Sequence, residues 1–126
     1  MTEQQLATNF KNLLFKKCTK DRILGFYYKI PDTKGIGGLK PFDSFLLVGS
    51  KFFAIEFKTG KRELLPHQEY HLKLIRKCGG IALVIREDNY KGVIDGIVRG
   101  AITTRNLMSH ILSDIRQPGL PKKERR

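Results

Sequence analysis

The sequence predicts an α/β fold: a central mixed β-sheet flanked by helices, with a core in the chain order αβββαβ. Three observations carry this. Apolar residues recur at helical spacing in the first segment and again after Pro66. Short runs rich in aromatic and β-branched residues fall between and after those segments. Two adjoining runs in the middle of the chain are apolar on both faces, and a strand of that kind belongs inside a sheet covered by helices.

The elements follow in order. Glu3–Lys17 reads as an amphipathic helix through Leu6, Phe10, Leu13 and Leu14, with Thr2 as N-cap and Gln5 completing a capping box. Gly25–Ile30 reads as a short strand. Pro31–Pro41 holds three glycines together with Lys34 and Lys40, the composition of a mobile, basic loop. Phe42–Val48 and Phe52–Lys58 are strand-like runs separated by the turn residues Gly49 and Ser50. Pro66 opens a second helix, Gly79–Gly80 ends it, and Ile81–Ile85 reads as a buried strand. Tyr90–Ala101 is punctuated by glycine and is expected to hold one more strand at Val93–Val98. Thr103–Ile115 reads as a last helix with Leu107, Ile111, Leu112 and Ile115 inward. Residues 1–115 are thus expected to form one domain, followed by a disordered tail, 116–126, that carries five cations against one Glu.

Charge restricts the function classes. Across 126 residues, 24 Lys and Arg face 12 Asp and Glu, giving a net charge of +12. Such an excess attracts polyanions, chiefly nucleic acid or an anionic membrane surface; the ordinary alternative is a solvated basic face that serves only solubility. No apolar run is long enough to span a membrane, and the first residues do not read as a secretory leader, so no membrane association is expected. Cys18 and Cys78 stand in no metal-ligand spacing and read as free thiols of a reducing compartment, which predicts a cytoplasmic protein.

The central hairpin carries the chemistry. With Gly49–Ser50 as a two-residue turn, paired residue numbers sum to 99, which sets Asp43 directly opposite Glu56. Directly opposed residues have Cβ atoms about 5 Å apart. Two carboxylates at that distance repel unless a proton or cation lies between them. Such an oxygen pair suits Mg²⁺, with phosphate and water completing its octahedron. Lys58 lies two residues from Glu56 and so on the same strand face, where its cation can orient water or offset phosphate charge. The ordinary alternative is a Glu56–Lys58 ion pair at a strand end, with Asp43 a turn residue. The glycine-containing stretches match no phosphate-binding loop, and His67 and His71 lack the partner spacing of a zinc protease, which leaves them as surface or phosphate-facing residues.

Pro41-Phe42-Asp43 followed by Glu56-Phe57-Lys58 resembles the signature of the PD-(D/E)XK nucleases, and Pro66-His67-Gln68 resembles the helix glutamine of several of their branches. The likeness is to Holliday-junction resolvases of the archaeal and RecU type and covers about residues 3–86. It implies a restriction-endonuclease-like fold and a metal-dependent DNA endonuclease that hydrolyses phosphodiester bonds in branched DNA or four-way junctions, working as a homodimer. Asp43, Glu56 and the Phe57 backbone carbonyl would hold Mg²⁺ or Mn²⁺, with Glu3 reaching the ion or its water. Lys58 would align the hydrolytic water, and Gln68 would orient Lys58 or a phosphate oxygen. Lys34, Lys40, Lys61, Arg62 and His67 are the expected DNA contacts. The implied location is the prokaryotic nucleoid, or the host cytoplasm for a virus- or plasmid-encoded protein. The alternatives are a non-catalytic basic nucleic-acid-binding protein, and a nuclease of the same fold acting on ends, nicks or foreign DNA.

Overall fold

A computed structural model describes residues 1–32 and 39–114 of the chain. The expectations for Lys34 and for the tail 116–126 lie outside these residues. The elements are α1 (Glu3–Lys20), β1 (Gly25–Lys29), β2 (Ser44–Val48), β3 (Lys51–Phe57), α2 (Pro66–Lys77), β4 (Ile81–Ile85) and α3 (Tyr90–Asp114). The first six reproduce the expected order αβββαβ. One sheet runs β1-β2-β3-β4, with β1, β2 and β3 antiparallel in turn and β4 parallel to β3.

β3 is central and buried on both sides. Leu6, Phe10 and Leu14 of α1 join Ile94, Ile97 and Val98 of α3 over the face carrying Phe53, Ile55 and Phe57. Leu72 of α2 packs on the other face against Ala54 and Ala82. The α1 start has the expected reciprocal cap: the Gln5 amide donates to Thr2 Oγ1 at 3.1 Å, and the Thr2 amide donates to Gln5 Oε1 at 2.8 Å. A Lys17–Asp95 ion pair joins α1 to α3.

The hairpin turn fixes the register on which the site depends. Gly49 and Ser50 both take left-handed backbone angles, φ 59° and 63°. That is the two-residue turn whose twist matches the flanking strands. Val48 therefore pairs with Lys51 and Ser44 with Ile55, as the residue numbers required.

One expected element is different. Val93–Val98 is not a strand; it lies inside α3, which is continuous with the helix expected at Thr103–Ile115. Val93, Ile94, Ile97, Val98 and Ala101 repeat at intervals of three and four, a helical stripe facing the core. Asn89 secures the helix start: its Oδ1 accepts from the Arg86 amide at 2.8 Å, and its Nδ2 donates to Val84 O at 3.0 Å. Leu107, expected inward, is 58% exposed. With 25 residues, α3 is about 37 Å long, whereas seven-residue β3 spans about 23 Å, so the helix overhangs the sheet.

Two glycine substitutions should act in opposite directions. A Cβ on Gly49 would lie 2.7 Å from the Ala101 Cα, at a positive φ. Gly49→Ala should therefore lower unfolding stability by about 2 kcal/mol. Gly96 sits in the interior of α3 with nothing within 4 Å of its Cβ position, so Gly96→Ala should raise stability by about 0.5–1 kcal/mol. Urea unfolding measures both, and a destabilised Gly96→Ala would count against a helix at that position.

Candidate active site

Among the described residues, Ser44, Glu56 and Lys58 are the buried polar or charged side chains, each 1–2% exposed. Glu and Lys are almost never sealed from water without partners. The two lie on the face of β3 shared with Ala54, beneath α2. Lys58 continues the strand pairing one residue further, its amide donating to Ile85 O at 3.0 Å.

Asp43 comes to Glu56 as the register required. The chain bends just before Ser44, so Asp43 sits at the end of the ladder, with its carbonyl accepting from the Ile30 amide at 2.9 Å. Its Oδ2 accepts from the Phe57 amide at 2.8 Å, and its carboxylate is hydrogen-bonded to the Glu56 carboxyl. The N–H and C=O of a strand residue leave on the same side, so the Phe57 carbonyl is directed toward Asp43 as well.

The pair shares one proton. Burial, then the hydrogen bond and the charge of Asp43, push Glu56 up to about 9; the Lys58 and Lys40 cations act against this rise. Burial pushes Asp43 upward too, but its hydrogen bonds from Glu56 and Phe57 and the Lys40 cation outweigh that and hold it below the usual carboxylate range. At neutral pH the site is thus a protonated Glu56 donating to an ionised Asp43.

The remaining expected residues divide. Glu3 lines a cavity of about 220 Å³ together with Asp43, Lys40, Tyr27, Ser44 and Phe57. Arg62 Nη1 lies 2.9 Å from Glu3 Oε2 but off the hydrogen-bonding direction, so this buried oxygen accepts no hydrogen bond. Arg62, expected on DNA, is therefore drawn to Glu3. Lys40 is drawn inward likewise, with Nζ 2.9 Å from Asp32 and 3.3 Å from Asp43. Gln68 spends its Oε1 on the Leu65 amide at 2.9 Å, capping α2. Its amide nitrogen points the other way. His67 is half-buried on the first turn of α2 and accepts at its carbonyl from the His71 ring, while Lys61 is exposed. Tyr27, whose hydroxyl meets Ser44 Oγ at 2.7 Å, is a cavity residue that sequence reasoning missed. Strand alternation in Gly25–Lys29 was the signal that places it on the α1 side.

The donor set fits a hard divalent cation. Asp43 and Glu56 supply two carboxylates and the Phe57 carbonyl a third oxygen, while Glu3 on the cavity wall is paired with Arg62. Among the described residues, no three His, Cys, Asp or Glu side chains come close enough to form a complete cage. Two carboxylates are what Mg²⁺ takes when phosphate and water fill the remaining positions.

No protein-family model matches the chain, and no curated protein matches it in sequence.

The shared proton makes stability depend on pH. Between 4.5 and about 9 the folded protein holds a proton on Glu56 that the unfolded chain has released, so stability falls as pH rises through that window. Asp43, shifted downward, contributes stability that is present above 3.8 and lost in acid. Glu56→Gln keeps a neutral donor at every pH. In EDTA its urea midpoint should decline less than that of the wild type as pH rises toward 9. Parallel pH profiles for the two proteins would contradict the assignment.

Proposed function

We propose that the chain is a divalent-metal-dependent DNA endonuclease acting on branched DNA, and that its αβββαβ core is restriction-endonuclease-like. The observation that carries this is the placement of Asp43, Glu56 and Lys58 together at the open end of an otherwise largely apolar hairpin, away from its turn. Burying Glu and Lys costs several kcal/mol per charge before compensation. A buried ionisable cluster opening through Asp43 onto a cavity is the arrangement expected of a site under chemical constraint.

Each residue has a part. Asp43, Glu56 and the Phe57 carbonyl would hold Mg²⁺ or Mn²⁺, which when bound acidifies water and offsets the charge of the reacting phosphate. Glu56 gives up its proton to make that site, and the Phe57 amide holds Asp43 in one orientation. Lys58, fixed beneath α2, aligns the attacking water or meets a phosphate oxygen. Lys40 must release Asp43 for the outer carboxylate oxygen to become free. The +12 charge supports DNA backbone binding with little sequence readout. Symmetric cutting of two strands calls for two copies of this site, so we propose a homodimer.

The test is a substrate panel of four-way junction, nicked, linear duplex and single-stranded DNA of matched sequence, each with Mg²⁺ and with EDTA. Cleavage should require the metal and favour the branched substrate. Asp43→Asn, Glu56→Gln and Lys58→Met should each slow cleavage by about 100-fold or more. In EDTA the first two should bind DNA at least as well as the wild type, since Asp43→Asn removes a negative charge and Glu56→Gln replaces a group that is already neutral. Equal binding in EDTA with no cutting in Mg²⁺ would instead identify a non-catalytic nucleic-acid-binding protein.

A further inference from the structure

The face of the sheet that carries Glu56 continues beyond the site into a row of uncovered aromatic rings. Among the described residues, α2 packs chiefly over β4 and β3, and large apolar side chains on the β1–β2 side of that face are exposed. Phe26 is 53% exposed, Tyr28 46% and Leu47 44%. Tyr28 and Phe45 are stacked, with centroids 5.4 Å apart and planes at 26°. Phe45 and Phe52 are stacked in the same way, at 5.7 Å and 23°. Phe26 meets Phe45 edge-on at 5.8 Å. The result is a stack of near-parallel rings crossing β1, β2 and β3. It ends at the sheet edge with Tyr28, one of whose sides has no aromatic neighbour among the described residues.

We infer that Phe26 and Tyr28 are a stacking platform for unpaired nucleobases, so that the DNA cut at the carboxylate site carries single-stranded bases beside the scissile phosphate. This rests on the nuclease reading and names its substrate class. The occupant follows from three features. A stack of parallel rings accepts any base through its π-face, and such stacking contributes about 1–3 kcal/mol per base. The protein carries +12, so the partner is a polyanion. Continuity with the site supplies the third. Phe45 lies two residues, about 7 Å, from Asp43 along the chain, and Tyr28 lies two residues from Ile30, whose amide bonds the Asp43 carbonyl. A nucleotide next to a phosphate held at Asp43 therefore comes within reach of the rings.

The experiment measures binding in EDTA by fluorescence anisotropy, with an oligothymidylate and a matched duplex as probes. Phe26→Leu/Tyr28→Leu keeps the apolar bulk and removes the rings. It should weaken oligothymidylate binding by about tenfold or more and leave duplex binding unchanged. Tyr28→Trp alone should bind oligothymidylate at least as tightly as the wild type. Unchanged oligothymidylate binding, or an equal loss on both probes, overturns the platform. Sedimentation of the double variant as a smaller species than the wild type also overturns it, assigning the face to a second copy of the chain. Cleavage in Mg²⁺ is scored separately. Ring-dependent binding without any cutting would leave the platform standing and remove the nuclease reading; cutting without ring-dependent binding would do the reverse.

Discussion

Two carboxyl groups, Asp43 and Glu56, share one proton at neutral pH, and the hairpin brings them together. Strand side chains alternate with a period of two, so a slip of one residue in the β2–β3 pairing would send Glu56 to the opposite face and part it from Asp43. The left-handed Gly49–Ser50 turn removes that freedom. Packing of the turn against Ala101 ties the register to α3 as well. An element far from the site in sequence thereby holds the geometry of the site.

Burial gives the pair its character. α1 and α3 cover one face of β3 and α2 the other, so Glu56 and Lys58 are held away from water. In such surroundings a charge persists only if it is paired, and a carboxyl that cannot be paired keeps its proton. Asp43 finds three partners, Glu56, the Phe57 amide and Lys40, and stays ionised; Glu56 has no comparable set and stays neutral. On the proposed reading, an ion that bonded both carboxylates would replace one proton and one lysine at once. The Lys40 bridge between Asp32 and Asp43 also anchors the two described ends of the 32–40 connection to the site.

Much of this was legible in the residues. The turn pair, the alternation and the residue numbering set Asp43 against Glu56, and the capping box and Pro66 mark two helix starts. What the sequence hid was tertiary. Val93–Val98 looks strand-like because Val and Ile favour strands, yet its stripe has helical period once Gly92, Gly96 and Gly100 are read as part of a helix rather than as breaks. Lys40 and Arg62 look like free surface cations by composition, and only the fold brings Asp32, Asp43 and Glu3 to them. Gln68 reads equally as a catalytic amide or a helix cap, and the Leu65 amide decides the state seen here. The exposure of Tyr28 and Phe26 depended on how far α2 reaches across the sheet, which no local pattern encodes.

The central claim is that Asp43 and Glu56 share a proton that a divalent ion can replace. Carbon-13 NMR of carboxyl-labelled glutamate, titrated with pH in EDTA, reads this directly. One Glu carboxyl, lost in Glu56→Gln, should titrate near pH 9, apart from the others, and saturating Mg²⁺ should move its midpoint downward. If every Glu carboxyl titrates in the ordinary acid range, or if Mg²⁺ leaves the high-pH signal in place, the pair is not the site described here.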